Sequence, residues 1–118
     1  MQSSKAYIIR VGGHKDSEEK SAHCAESCDK VGQEWEYWEA YNGLDGEIKD
    51  ASHHNAIMEC LKVTDHYMTR GEVACALSHI SLWAKCVIED QPLVILEHDS
   101  VMVQKYEQHA VFNSICYL

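Results

Sequence analysis

The sharpest break between apolar and polar positions falls in PLVILEHDSVMV, Pro92 to Val103. There the run Leu93-Val94-Ile95-Leu96 stops abruptly at Glu97-His98-Asp99. A short apolar run, rich in β-branched residues and opened by proline, predicts a buried strand. The residues before it carry a different period. Val73, Ala76, Leu77, Ile80, Trp83, Ala84 and Val87 recur at three- and four-residue steps, which predicts a helix with one continuous apolar stripe. Thr69-Arg70-Gly71-Glu72 has the T-x-x-E form of a capping box at its start, and Glu89-Asp90-Gln91-Pro92 ends it. Cys75 and Cys86 fall within this apolar pattern, where cysteine acts as a small hydrophobe.

The first part of the chain opens with AYIIRV, residues 6–11, a β-type run ended by Gly12-Gly13. Asp16 or Ser17 is placed to cap a helix whose first turn holds Glu18 and Glu19. Ala22, Ala25, Cys28 and Val31 give that helix a modest apolar stripe, and Gly32 fits its end. EWEYWEAY, residues 34–41, predicts a second strand whose aromatics serve as core or sheet-face residues. Asn42-Gly43 and Asp45-Gly46 supply turn chemistry. A short helix is expected at residues 55–62, with His53, His54 and His66 as solvated loop residues, and a last strand at Val111 to Leu118. An open sheet edge there would favour a homodimer. Strands alternating with helices define an α/β unit, a small and mostly parallel sheet flanked by helices.

A chain of 118 residues suits a single domain spanning 1–118. The net charge of -9 and the lack of any Lys/Arg cluster argue against nucleic acid and anionic membrane surfaces. No apolar stretch approaches the roughly 20 residues of a membrane span, and the N-terminal apolar run is too short for a secretory signal. A soluble, cytoplasmic protein follows, with its six cysteines as reduced thiols. Cys24, Cys28 and His23 lie close in sequence, but no CxxC pair or second ligand pair completes a structural zinc pattern.

Ligands of open α/β sheets bind outside the carboxyl ends of the strands. Acidic residues there are costly unless they hold something positive, so Glu97 and Asp99 are candidates for a metal or sugar-phosphate site. The bland alternative is a strand running into a polar loop. In extended backbone, residues two apart share a side, which would set Glu97 and Asp99 towards one ion and turn His98 away. Arg10, at the end of the first strand, can pair with a phosphate, stack on a base, or form a surface salt bridge. Asn42 and Gly43 can approach a nucleotide closely or form an ordinary turn.

GEVACALSHISLW, Gly71 to Trp83, followed by the strand end Leu96-Glu97-His98-Asp99, resembles the two-part signature of glycosyltransferase family 25. That family includes lipopolysaccharide-type transferases and the galactosyltransferase domains of collagen-modifying enzymes. The opening strand with its loop to Ser17, and the aromatic strand running into Tyr41 to Gly46, are also similar, so the resemblance covers most of the chain. It implies a Rossmann-like, GT-A-type nucleotide-sugar-binding half domain and a UDP-galactose-type donor. It also implies a divalent cation, usually manganese, bridging an acidic motif and the donor diphosphate. On that resemblance Asp99, Glu97 and His98 are the metal candidates, with Asp99 the direct ligand. Arg10, Asn42, Gly43, Ser78, His79 and Glu97 become candidates for binding the nucleotide sugar. His98 stands where the family has aspartate, and offers a nitrogen ligand better suited to zinc, copper or manganese than to magnesium. Family members run on past this point to supply an acceptor site and a catalytic base. Two functions follow as expectations: a glycosyltransferase, or a non-catalytic binding module that keeps the donor half.

Overall fold

A computed structural model describes residues 4–40 and 70–106. In chain order it holds β1 (Ala6–Arg10), α1 (Lys15–Val31), β2 (Trp35–Glu39), α2 (Arg70–Glu89) and β3 (Val94–Leu96). The expected α/β alternation is therefore present. The readings at Asn42 to Gly46, at 55–62, at the three histidines 53, 54 and 66, at Thr69, and at Val111 to Leu118 lie outside the described residues.

The three strands form a parallel sheet in the order β2-β1-β3. β1 takes the middle because AYIIR offers apolar side chains to both faces. Its even and odd residues go to different layers. Ala6 and Ile8 are fully buried and meet Cys24, Ala25 and Cys28 of α1, together with Val94 and Leu96 of β3. Trp35 and Tyr37 of β2 pack against that same cluster. On the other face Tyr7 meets Trp38 edge-to-face at 5.9 Å, and the Trp38 indole N–H donates to Ser81 of α2 at 2.9 Å. One helix thus covers each face. The aromatics of β2 are sheet-face residues, as expected from their alternation with glutamates. Among the described residues no helix is long and apolar enough to cross a membrane.

α1 begins earlier than expected, with His14 rather than Asp16 or Ser17 as its N-cap. The two residues nearest that end still tie the loop down. The Ser17 hydroxyl accepts the Val11 N–H at 2.9 Å, and the Glu18 carboxylate accepts the Gly13 N–H at 2.8 Å. Gly13 itself has φ 84, a left-handed turn residue. The helix ends in a Schellman turn: Gly32, at φ 75, donates to the Asp29 carbonyl and Gln33 to the Cys28 carbonyl.

The buried face of α1 differs from the expected stripe. Ala22 is exposed, and Ser17, Ser21, Cys24, Ala25, Ser27 and Cys28 are buried. Small hydroxyls are tolerated because each finds a partner: Ser21 donates to the Glu18 carbonyl and Ser27 to the Cys24 carbonyl. His23 is exposed, on a different side from the buried Cys24 and Cys28, so these three residues do not converge on a zinc ion. The Cys24 thiol is pushed up from 9.0 to about 12, first by burial, then by Cys28 and Asp99.

α2 also presents a different face. Ala74, Leu77, Ser78 and Leu82 are buried, whereas Trp83, Val87 and Ile88 are exposed. The helix is apolar round much of its circumference, so the periodic count picked a stripe rotated from the one that meets Tyr7 and Trp38. Cys75 is exposed rather than core.

Gln33 joins three segments. It is 3% exposed; its amide N donates to the carbonyls of Ser4 and Glu34, and its amide O accepts the Tyr106 N–H. Ser27 similarly accepts the Met102 N–H at 2.9 Å. The chain after β3 is thereby held against α1.

Two outcomes follow. Gln33→Ala strands buried partners on both sides and lowers stability by about 2 kcal/mol, measured by urea denaturation, while Gln104→Ala at an exposed position changes it little. The second concerns alkali. The folded chain keeps Cys24 neutral, so its contribution is intact below pH 9.0 and declines as pH rises from there towards 12. Cys24→Ala flattens the pH dependence of unfolding across that window relative to the parent, even though it also shrinks the core.

Candidate functional site

Because all three strands are parallel, their carboxyl ends share one rim. β1 delivers Arg10 and the turn Val11 to His14, β2 delivers Glu39, and β3 delivers Glu97. The crevice expected of such a sheet lies beside β1, where the chain leaves towards β2 on one side and β3 occupies the other.

The strand β3 stops at Leu96, one residue before the acidic motif. Glu97 to Ser100 is a turn, closed by the Ser100 N–H donating to the Glu97 carbonyl at 3.0 Å. The extended backbone expected at 97–99 is therefore absent, and the two-residue spacing does not by itself bring Glu97 and Asp99 together. The turn sends its side chains to separate neighbours. Glu97 reaches α2, where its carboxylate lies 3.5 Å from Nε2 of His79. His98 reaches α1, where Nδ1 lies 2.9 Å from the Ser17 hydroxyl. Asp99 is exposed and raises the Cys24 thiol through its charge.

His98 is thus a tie between α1 and the turn after β3. Ser17 accepts the Val11 N–H and contacts His98 through the same oxygen. That oxygen has two lone pairs and one hydrogen, enough for both bonds. This link joins the loop after β1 to the turn after β3.

The other site candidates divide between the rim and the interior. Arg10 lies against β2: its guanidinium donates to Glu39 at 2.7 Å and sits 4.0 Å from the centre of the Tyr37 ring. Glu39 holds the Arg10 charge more firmly than usual. Of the readings open for Arg10, the salt bridge is the one formed. Its Nε is buried with no hydrogen-bond partner among the described residues. Ser78 is 1% exposed and donates to the Ala74 carbonyl, so its hydroxyl points along α2 into the interior. His79, one residue on, is half-buried and faces Glu97. Asn42 and Gly43 lie outside the described residues.

One residue was missed by sequence reasoning. Cys75, one helical turn before His79, brings its sulfur into the same group as His79 and Glu97, with the three ligand atoms all within 4.8 Å of one another. Burial and the nearby Glu97 charge push its thiol up. The signal was available in the sequence as an i, i+4 Cys/His pair, but the apolar pattern around Cys75 had assigned it to the core. Glu97 and Asp99 form no salt bridge with lysine or arginine among the described residues. Among the described residues, the rim beside β3 therefore carries two carboxylates with no lysine or arginine paired to them.

The helix and strand-end motifs, remote in sequence, are thus joined through His79 and Glu97. The model of glycosyltransferase family 25 (LPS biosynthesis protein) matches residues 4–114. The lipooligosaccharide biosynthesis protein lic2B of Haemophilus influenzae is 44% identical over 36 residues, which is 30% of this chain. The matched stretch spans only 14% of that relative's length. With the family match running over nearly the whole chain, and both parts of its signature meeting at one rim, the chain belongs to glycosyltransferase family 25.

Proposed function

We propose that this chain forms the donor-binding part of a GT-A-type glycosyltransferase acting in lipopolysaccharide-type glycan assembly in the cytoplasm. The donor is a nucleotide sugar of the UDP-galactose type, bound together with a divalent cation of the manganese class. The observation that supports this best is the acidic turn Glu97 to Ser100, at the carboxyl end of β3 and open to solvent. Two exposed carboxylates with no lysine or arginine partner among the described residues suit a hard dication, which takes oxygen ligands and keeps several waters.

A cation held at that turn would offset charge on the departing diphosphate. The residues of the chain do the positioning. Asp99 offers an exposed carboxylate on the turn, and the Ser17–His98 contact fixes the turn against α1. His79 steadies Glu97 from the other side. Arg10 donates to Glu39 and Ser78 to the Ala74 carbonyl of its own helix, so both are tied to the protein in this arrangement. The donor contacts then come from the turn after β3, from the exposed glycines of the loop after β1, and from Asn42 and Gly43.

The test is thermal unfolding with UDP-galactose and manganese, singly and together. Binding to the folded state stabilises by about 2.7 kcal/mol at a ligand concentration of 100 Kd, so saturating donor raises Tm only when manganese is also present. Asp99→Asn abolishes the manganese-dependent part of the shift and leaves the unliganded Tm nearly unchanged. A shift that is the same without manganese, or unaltered in Asp99→Asn, would refute the cation assignment. UDP released in the presence of an acceptor distinguishes a working transferase from a donor-binding module.

A further inference from the structure

We propose that Cys75, His79 and Glu97 form a three-ligand site for a thiophilic divalent cation of the zinc class. The three side chains come from two elements that the fold fixes relative to one another. Cys75 and His79 are one turn apart on α2, so both project from the same side of the helix. Glu97 follows β3 directly, and its carboxylate meets that side of the helix.

The geometry is close to what such an ion needs. The sulfur, imidazole nitrogen and carboxylate oxygen lie within 4.8 Å of one another. The His79–Glu97 separation is 3.5 Å. Two ligands each about 2.05 Å from a tetrahedral zinc are about 3.4 Å apart, so this edge needs almost no movement. The sulfur must close in by a modest side-chain rotation, which an exposed cysteine can make. Three protein ligands leave a fourth position for water or a substrate oxygen, the arrangement of an open zinc site.

The donor set also decides which ion. A thiol and an imidazole favour zinc, cobalt or another thiophilic metal, whereas manganese and magnesium prefer oxygen. This site is therefore chemically distinct from the carboxylate-bound cation proposed for the donor, although both readings use Glu97. It does not depend on sugar transfer. The exposed Cys75 separates it from the buried pair Cys24 and Cys28, which have no exposed imidazole or carboxylate completing a group among the described residues.

The experiment is cobalt titration of the whole chain, read by absorption, followed by zinc competition. The expected result is one cobalt per chain with a thiolate-to-metal charge-transfer band, displaced by one equivalent of zinc. Cys75→Ala removes the band. His79→Ala weakens zinc binding by more than about 100-fold, since even outer-shell partners account for 10–100-fold. Cys86→Ala, outside the group, leaves both readouts unchanged, and circular dichroism checks that each variant is folded. Absence of the band, or its survival in Cys75→Ala, would overturn the site. The donor reading is measured separately, as the manganese-dependent Tm shift with UDP-galactose in Cys75→Ala. A retained shift with no cobalt band in the parent rejects the thiophilic site alone; a cobalt band with no donor shift rejects the donor reading alone.

Discussion

The arrangement depends on the central place of β1. A strand hydrogen-bonded along both edges has no freedom to slip, because a one-residue shift would exchange its two faces. Ala6 and Ile8 would leave the α1 side, and Tyr7 would be driven into the space they occupy. The pairing of Ala6 with both Trp35 and Val94, and of Ile8 with both Tyr37 and Leu96, therefore sets the level of all three strand ends. Everything at the rim inherits its position from that register. Glu97 meets His79 only because Leu96 is opposite Ile8 and α2 returns across the Tyr7 face.

The second source of order is polar. α1 buries serines where most surface helices bury leucine or valine, and the result is a close approach between helix and loops. Ser17 receives the loop after β1 and touches His98; Ser27 receives Met102; Gln33 receives Tyr106. An apolar side chain at any of these positions could fill space but could not satisfy a backbone N–H. Each of these bonds is worth little net, yet losing one leaves a desolvated group without a partner. The segments at these positions that lack regular secondary structure are thus held by hydrogen bonds from α1 and from Gln33 just after it, and the acidic turn is one of them.

Legibility in the sequence varied with how local the determinant was. The three described strands, both helices and the glycine stop at Gly32 were readable because they follow from nearby residues: β-branched runs, helical spacing, and a residue that tolerates φ 75. The buried faces were less readable. α2 carries apolar residues on more than one side, and the three-dimensional packing, not the periodicity, buries Leu82 and leaves Trp83 exposed. On α1, nothing near the serines in sequence announces that loops from β1 and from beyond β3 will need donors and acceptors. The site failed to read for a related reason. An extended backbone would pair Glu97 with Asp99, but strand length is set by what the neighbouring strand offers, and β1 pairs with β3 only through Leu96. The chain then turns, and Glu97 is released to α2.

That release changes what His98 means. Placed in an extended strand, a histidine in the middle of an acidic motif is a lost carboxylate at a metal site. Placed in a turn, it is a side chain long enough to span to Ser17 and hold the turn down. A carboxylate at this position would also reach a serine hydroxyl, but it would add a third negative charge beside Glu97 and Asp99, with no lysine or arginine paired to either among the described residues. Like charges repel, and solvent around exposed groups weakens that repulsion without removing it. Histidine supplies the tether without that repulsion. The same substitution lowers the negative charge available to a hard dication and leaves Glu97 beside an imidazole and a thiol. The fold, rather than the two-residue spacing of the motif, sets which side chains stand beside Glu97.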